Sequence, residues 1–105
     1  MVASKYRVTS ILRIGAGVTP LTEQLADYFG VEGGVLINNV RSDSPAFKAG
    51  LKAGDVIVGI EDESVKGAVG LTRAIENKRE SDFTLKIVRD RKEQTVNLTP
   101  NKAIQ

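Results

Sequence analysis

The sequence predicts a small α+β domain, a partly open antiparallel β-barrel or sandwich of five to six short strands capped by two helices. Three observations predict it. Short β-forming runs recur along the chain, each closed by glycine, proline or a polar turn. Two segments between those runs carry apolar residues at helical spacing instead. The 105 residues, 41% hydrophobic and 27% charged, suit one domain with one core.

Taken in order, residues 1–12 form a lead-in in which Tyr6 to Leu12 alternate loosely as a strand. Residues 13–100 form the domain proper and 101–105 a flexible tail. Arg13-Ile14-Gly15-Ala16-Gly17-Val18 is a glycine-containing turn running into a short extended segment that Pro20 ends. Thr22 is a helix N-cap, Glu23 suits the first-turn dipole, and Leu21, Leu25, Tyr28 and Phe29 recur at helical spacing before the Gly30 stop. Gly33-Gly34 turns into the strand Val35 to Val40. Between Ser42 and Gly50 lies a helix of one or two turns, capped by Asp43 or Ser44, with Pro45 first and Gly50 last. Gly54-Asp55 is a tight turn into the strand Val56 to Ile60, and Glu61 to Ser64 reads as a polar turn. A longer helix spans about Ala68 to Lys78, with Ala68, Leu71, Thr72 and Ile75 on one stripe. Phe83 to Val88 and Gln94 to Leu98 close the chain as a hairpin joined across Arg89 to Lys92.

Composition removes whole classes of chemistry. Without cysteine there is no disulfide, thiolate nucleophile or cysteine zinc site. Without histidine the commonest general base and metal ligand are absent, so neither a Ser/His/Asp machine nor a histidine metal site can be assembled. No cofactor is expected. The net charge of +2 is modest. The most basic stretch, Lys86 to Lys92, is interrupted by Asp90 and lacks an aromatic to stack a base, so it reads as a solvated hairpin tip with no nucleic-acid partner. No apolar run approaches the about 20 residues of a membrane-spanning helix. The first residues lack the apolar stretch of a signal peptide, so an exported protein would carry its targeting segment elsewhere.

The sharpest chemical feature is Ile14-Gly15-Ala16. A glycine between two extended segments can adopt positive φ and let successive backbone N–H groups converge on an anion, with Arg13 adding longer-range attraction. Taken alone, such a turn is more often only a turn. Gly15-x-Gly17 also looks like the start of a dinucleotide fingerprint, but the third glycine and the immediate helix are missing. A phosphate-binding loop lacks its Gly-Lys-Ser/Thr ending.

The succession Arg13-Ile14-Gly15-Ala16, Pro20-Leu21-Thr22, Tyr28-Phe29-Gly30-Val31 and Gly34-Val35-Leu36-Ile37 resembles the bacterial PDZ domains of HtrA-type (Do-like) serine proteases. The stretch from Ser44-Pro45-Ala46 through Ala49-Gly50-Leu51 to Gly54-Asp55-Val56-Ile57 resembles that family's most diagnostic segment, S-P-A-x-x-A-G-L-x-x-G-D-x-I. The resemblance covers about Arg13 to Leu98. The diagnostic segment itself reads as scaffold, with no binding role assigned to it.

The resemblance implies a peptide-binding module that captures the C-terminal tail of a partner by β-strand addition. It places the peptide carboxylate on the amides of Ile14, Gly15 and Ala16. It lines the groove with Arg13, Gly17, Val18, Ala68, Thr72 and Ile75, while Leu71 and Ala74 point to the core. The competing reading of the Ala68–Ile75 stripe is that all of it is core. A pocket for the last side chain would be walled by Ile14, Ala16, Val18 and Ile75. Two departures bear on specificity. Ala16 is smaller than the usual apolar residue, which widens the pocket. Ala68 stands where many PDZ domains carry a hydroxyl-reading histidine, so apolar residues at the end of the tail are favoured over Ser/Thr two places earlier.

The same resemblance implies a periplasmic or envelope location and service to a larger serine protease, and leaves room for homo-oligomerisation through that parent. The alternative is an assembly or regulatory domain that docks on neighbouring domains, with Tyr6 to Leu12 able to cover part of the groove. An enzyme would need a Ser/Lys pair or carboxylates such as Glu61, Asp62 and Glu63, which read better as solvated loop, so the chain is expected to be non-enzymatic.

Overall fold

The computed structural model describes residues 10–11, 13–78 and 82–99. Seven strands and three helices follow in the order β1 (Ser10–Ile11), β2 (Ala16–Pro20), α1 (Glu23–Phe29), β3 (Val35–Val40), α2 (Pro45–Ala49), β4 (Val56–Ile60), β5 (Glu63–Ser64), α3 (Ala68–Lys78), β6 (Phe83–Arg89) and β7 (Lys92–Leu98). Every strand pairing among the described residues is antiparallel. The strand order β1-β2-β3-β4-β6-β7 makes one open sheet, with the two-residue β5 paired to β4 off that path. The expected α+β architecture is therefore present. Of the lead-in, Ser10–Ile11 is strand, and residues 1–9 and 12, like the tail 101–105, lie outside the described residues.

The helix ends follow their local chemistry. Thr22 accepts the Leu25 N–H at 3.2 Å at the start of α1, and Gly30 closes that helix in a left-handed conformation. Of the two candidate caps for α2, Ser44 is the one used: its Oγ accepts the Phe47 N–H at 3.1 Å, and Pro45 opens the helix. Asp43 instead takes a positive φ of 63° in the preceding turn.

Four details differ from the sequence reading. The apolar spacing in α1 does not mark a core face. Ala26 is its buried residue, while Leu25 and Tyr28 are exposed. The polar stretch after β4 turns over Glu61-Asp62, and its second half returns as β5, with Ser64 opposite Gly59. The last hairpin is tighter than the sequence suggested. Arg89 pairs with Lys92, and only Asp90-Arg91 remain in the turn, both at positive φ (56° and 64°), as a two-residue turn matched to strand twist demands.

The fourth correction concerns the basic hairpin tip, which is not simply solvated. Arg89 reaches the buried Asp55 carboxylate with two hydrogen bonds, Nε to Oδ1 at 2.8 Å and Nη2 to Oδ2 at 2.7 Å. Its Nη2 also donates to the Gly50 carbonyl at 2.8 Å. Asp55 in turn accepts the Lys52 N–H at 2.9 Å. The hydrogen bond to Asp55 raises the Arg89 pKa above its ordinary value, against an opposing desolvation effect and with help from the charges of Asp55 and Asp90. Arg91 donates to the Tyr28 carbonyl, and Lys86 pairs with Glu93 at 3.3 Å. The hairpin is thus bolted to the end of α2 and to α1.

The core lies between the sheet and the helices. Ile37, Ile57, Leu85 and Ile87 from the sheet meet Leu71 and Ile75 of α3 and Ala46 of α2. α2 lies beside β7 and also meets the turn that enters β2, and α3 lies beside β2.

Candidate functional site

Strand β2 is entered through the turn Arg13-Ile14-Gly15, and the structure shows why glycine occupies its centre. Gly15 has φ of 93°, and a Cβ built on it would lie 2.2 Å from the Ser44 Cβ and 2.6 Å from its Oγ. Both the backbone conformation and the close approach exclude a side chain. The turn is pressed against the cap of α2.

Two hydrogen bonds set its orientation. The Ile14 carbonyl accepts the Ala46 N–H at 2.9 Å, and the Gly15 carbonyl accepts the Arg41 N–H at 2.9 Å. No peptide bond among the described residues is cis, and in a planar trans unit the N–H points opposite to the C=O. The N–H groups of Gly15 and Ala16 are therefore turned away from α2 and from the β3 side. They face the other edge of β2. This is the arrangement an anion-holding turn needs, with carbonyls tied back and amides forward.

The side chains around this turn are placed as follows. Ile14, Ala16, Val18 and Ile75 are buried by the chain itself, at 2, 0, 0 and 1% exposure. All four belong to the core cluster, so in this state they close on one another rather than line an open pocket. Gly17 is buried as well, and the strand register shifts between it and Val18 opposite β3. On α3, Leu71 is fully buried, Ala68 and Ala74 pack partly buried against the core, and Thr72 faces solvent. Arg13 is not poised over the turn as an isolated charge. Its Nε lies 3.3 Å from Glu76 Oε2 on α3, an exposed ion pair that spans from the turn to the helix.

The expected docking edge itself is occupied. Residues Ser10 and Ile11 pair antiparallel with Val18 and Gly17 on the side of β2 away from β3. Sequence reasoning missed this register, and it missed the clamp from Arg41, Ser44 and Ala46, because both depend on which segments meet in space. The Ser44-Pro45-Ala46 punctuation announced only a helix start. Among the described residues no cluster of acidic side chains is suited to hold a metal ion, and no helix is long and apolar enough to cross a membrane.

With this geometry in view, the comparisons with known proteins are specific. The PDZ domain family matches residues 13–99. A probable periplasmic serine endoprotease, DegP-like, of Marinomonas sp. (strain MWYL1) is 36% identical over 89 residues, which cover 82% of this chain and 19% of that protein. The corresponding protein of Rickettsia prowazekii (strain Madrid E) is 36% identical over 84 residues, 77% of this chain and 16% of that one. The chain thus spans less than a fifth or about a fifth of these curated relatives. Among solved structures, the PDZ domain of HtrA3 bound to a phage-derived ligand (FGRWV) superposes with a TM-score of 0.73 at 24% identity, over 89% of this chain and 85% of that one. The HtrA-type protease AlgW with a decapeptide gives 0.72 at 24% identity, over 82% of this chain and 27% of that one.

Proposed function

The chain belongs to the PDZ domain family, and from that premise we propose that it captures the C-terminal tail of a protein partner by strand addition along β2. The observation that carries this reading is the clamped turn. With the Ile14 and Gly15 carbonyls held by Ala46 and Arg41, the amides of Gly15 and Ala16 are aimed at the β2 edge where a terminal carboxylate would sit. The Ile14 amide completes the proposed anion site. An extended tail then pairs with Gly17 and Val18, and its last side chain enters between Ile14, Ala16, Val18 and Ile75. That wall is wholly apolar, so an apolar last residue is favoured. Ala68 and Thr72 border the tail further from its end.

The role we assign is substrate recognition or regulation within a larger envelope serine protease, in the periplasm. The similarity to proteins named as periplasmic serine endoproteases supports it. In this reading the chain contributes binding and no catalysis. The affinity expected for a short flexible tail is about micromolar or weaker, near −8 kcal/mol or less favourable, because the peptide loses conformational freedom for a small contact.

The test is a titration with one apolar-ended peptide in two forms, free carboxylate and C-terminal amide. A charge-assisted contact with backbone amides is lost in the amide, so binding should weaken at least about tenfold. Equal affinity for the two forms would remove the carboxylate from the mechanism.

A further inference from the structure

We propose that the segment entering the anion-holding turn, through Ser10–Ile11, is an intramolecular ligand that occupies the peptide edge of β2 until a tail displaces it. The proposal rests on the reading of that edge as the peptide site and adds a competitor to it.

Polarity is the first argument. A tail whose carboxylate lies at Ile14–Ala16 must run antiparallel to β2, which leads away from that turn. The segment holding Ser10 and Ile11 also runs toward the turn and also pairs antiparallel, Ser10 opposite Val18 and Ile11 opposite Gly17. It therefore copies the direction of the proposed ligand.

Exclusion is the second. The opposite edge of β2 is paired with β3 from Ala16 to Pro20, which leaves a single edge for any further strand. Alternation along β2 turns the backbone groups of Gly17 toward β3 and those of Val18 toward β1, so the Val18 groups are not available to a tail. Burial of Ile14, Ala16, Val18 and Ile75 by the chain itself describes a site already closed.

Tethering is the third. Only residues 12–15 separate β1 from β2, so β1 competes at the high effective concentration of a short loop. Among the described residues its pairing covers Ser10 and Ile11, and a longer peptide that pairs further along β2 can displace it. A ligand for a site that is mostly closed shows an affinity reduced by the open fraction. The register also defines the subsites: the ligand residue that replaces Ser10 lies opposite Val18, and the one that replaces Ile11 lies opposite Gly17.

The experiment compares three proteins: the 105-residue chain, the chain with Ser10→Pro and Ile11→Pro, and a truncation that starts at Leu12. Proline withdraws a backbone donor at each position, and the truncation removes the strand without introducing proline. The probe is the apolar-ended free-carboxylate peptide, with its amide as control. Both variants should bind the peptide about five- to tenfold tighter than the parent. In the ligand-free proteins, hydrogen exchange at the Val18 amide, which faces β1, should accelerate in both variants. Unchanged affinity in both variants, with carboxylate-dependent binding intact, overturns the intramolecular ligand and leaves the peptide-binding reading standing. Faster exchange without tighter binding also overturns it. Absence of binding by all three proteins overturns the peptide-binding reading and this proposal together.

Discussion

Replacing Gly15 with alanine should be among the most damaging single-methyl changes available in this domain, and its cost can be apportioned. Gly15 has φ of 93°, a region that costs an L-residue roughly 1–2 kcal/mol. The added Cβ also falls 2.2 Å from the Ser44 Cβ, far inside contact distance. Relieving that overlap requires the turn or the α2 cap to shift, and such overpacking costs about 1–3 kcal/mol. Together the two make about 2–5 kcal/mol, a large share of the roughly 5–15 kcal/mol that holds a domain folded. In urea, with a slope of about 1–2 kcal/mol per M, the midpoint should fall by about 2 M. The partner substitution Ser44→Gly separates the contributions. It removes both atoms that the new methyl strikes; glycine at an N-cap costs a few tenths of a kcal/mol relative to serine, and the lost Ser44 hydroxyl donation to the Arg41 carbonyl about 0.5–1.5 kcal/mol more, a cost the Ser44→Gly single variant measures and that is subtracted. The double variant Gly15→Ala/Ser44→Gly should therefore recover the overlap part, about 1–3 kcal/mol, and keep the backbone part. A Gly15→Ala midpoint indistinguishable from the parent would refute the argument entirely. A double variant no more stable than Gly15→Ala after that subtraction would refute the assignment of the cost to Ser44.

Two further perturbations address the scaffold and the specificity. Arg89→Met leaves the Asp55 carboxylate buried with only the Lys52 N–H among its named partners, which should cost about 3–5 kcal/mol in denaturant unfolding. The Arg89 pKa is raised on folding, chiefly by its hydrogen bond to Asp55, so its contribution is fully present below its unfolded value and is lost only as pH rises through the folded one. The Arg89 titration therefore adds no slope to the parent–variant difference from about pH 6 to about pH 9; a slope there assigned to Arg89 would contradict it. Ala68→His, at the first residue of α3, should shift a C-terminal peptide library toward Ser/Thr two places before the end, and an unchanged profile would displace Ala68 from the groove.

Much of the fold was legible because its boundaries are written in local chemistry. Thr22 and Gly30 bracket α1, Ser44-Pro45 and Gly50 bracket α2, and Leu71 with Ile75 gives α3 its buried side. Those signals act within one turn of the residue that carries them. The features that escaped are the ones where distant segments meet. β5 is a polar dipeptide whose strand character comes entirely from β4. The start of β7 is polar and solvent-exposed through Thr95, so no apolar alternation marks where the hairpin turn ends. The role of Arg89 depends on Asp55, a partner its own neighbours do not announce. In α1 the apolar spacing located the helix without telling which residue it buries: Tyr28 is 72% exposed, and Ala26 is buried. The glycine turn was visible as a candidate site. Its orientation was not, since that comes from Arg41 and Ala46 across the fold.

That last point changes how the diagnostic segment around α2 should be understood. Read along the chain, Ser44-Pro45-Ala46 is scaffold with no part in binding. In three dimensions Ala46 donates to the Ile14 carbonyl, the Ser44 side chain blocks any atom beyond hydrogen at Gly15, and Arg41, just before α2, donates to the Gly15 carbonyl. These contacts tie the two carbonyls back, while the turn's own side chains anchor it elsewhere, Ile14 in the core and Arg13 on Glu76. The far end of α2 is fixed independently, through the Gly50 carbonyl to Arg89 and from Arg89 to Asp55. A chain of short hydrogen bonds, from the Arg89 side chain at one end and from backbone amides at the other, thus runs from the β6–β7 hairpin through α2 to the Gly15 turn. In the proposed function this lets the turn be preorganised: its amides are held before a carboxylate arrives, and little of the small binding energy of a short tail is spent on ordering the protein.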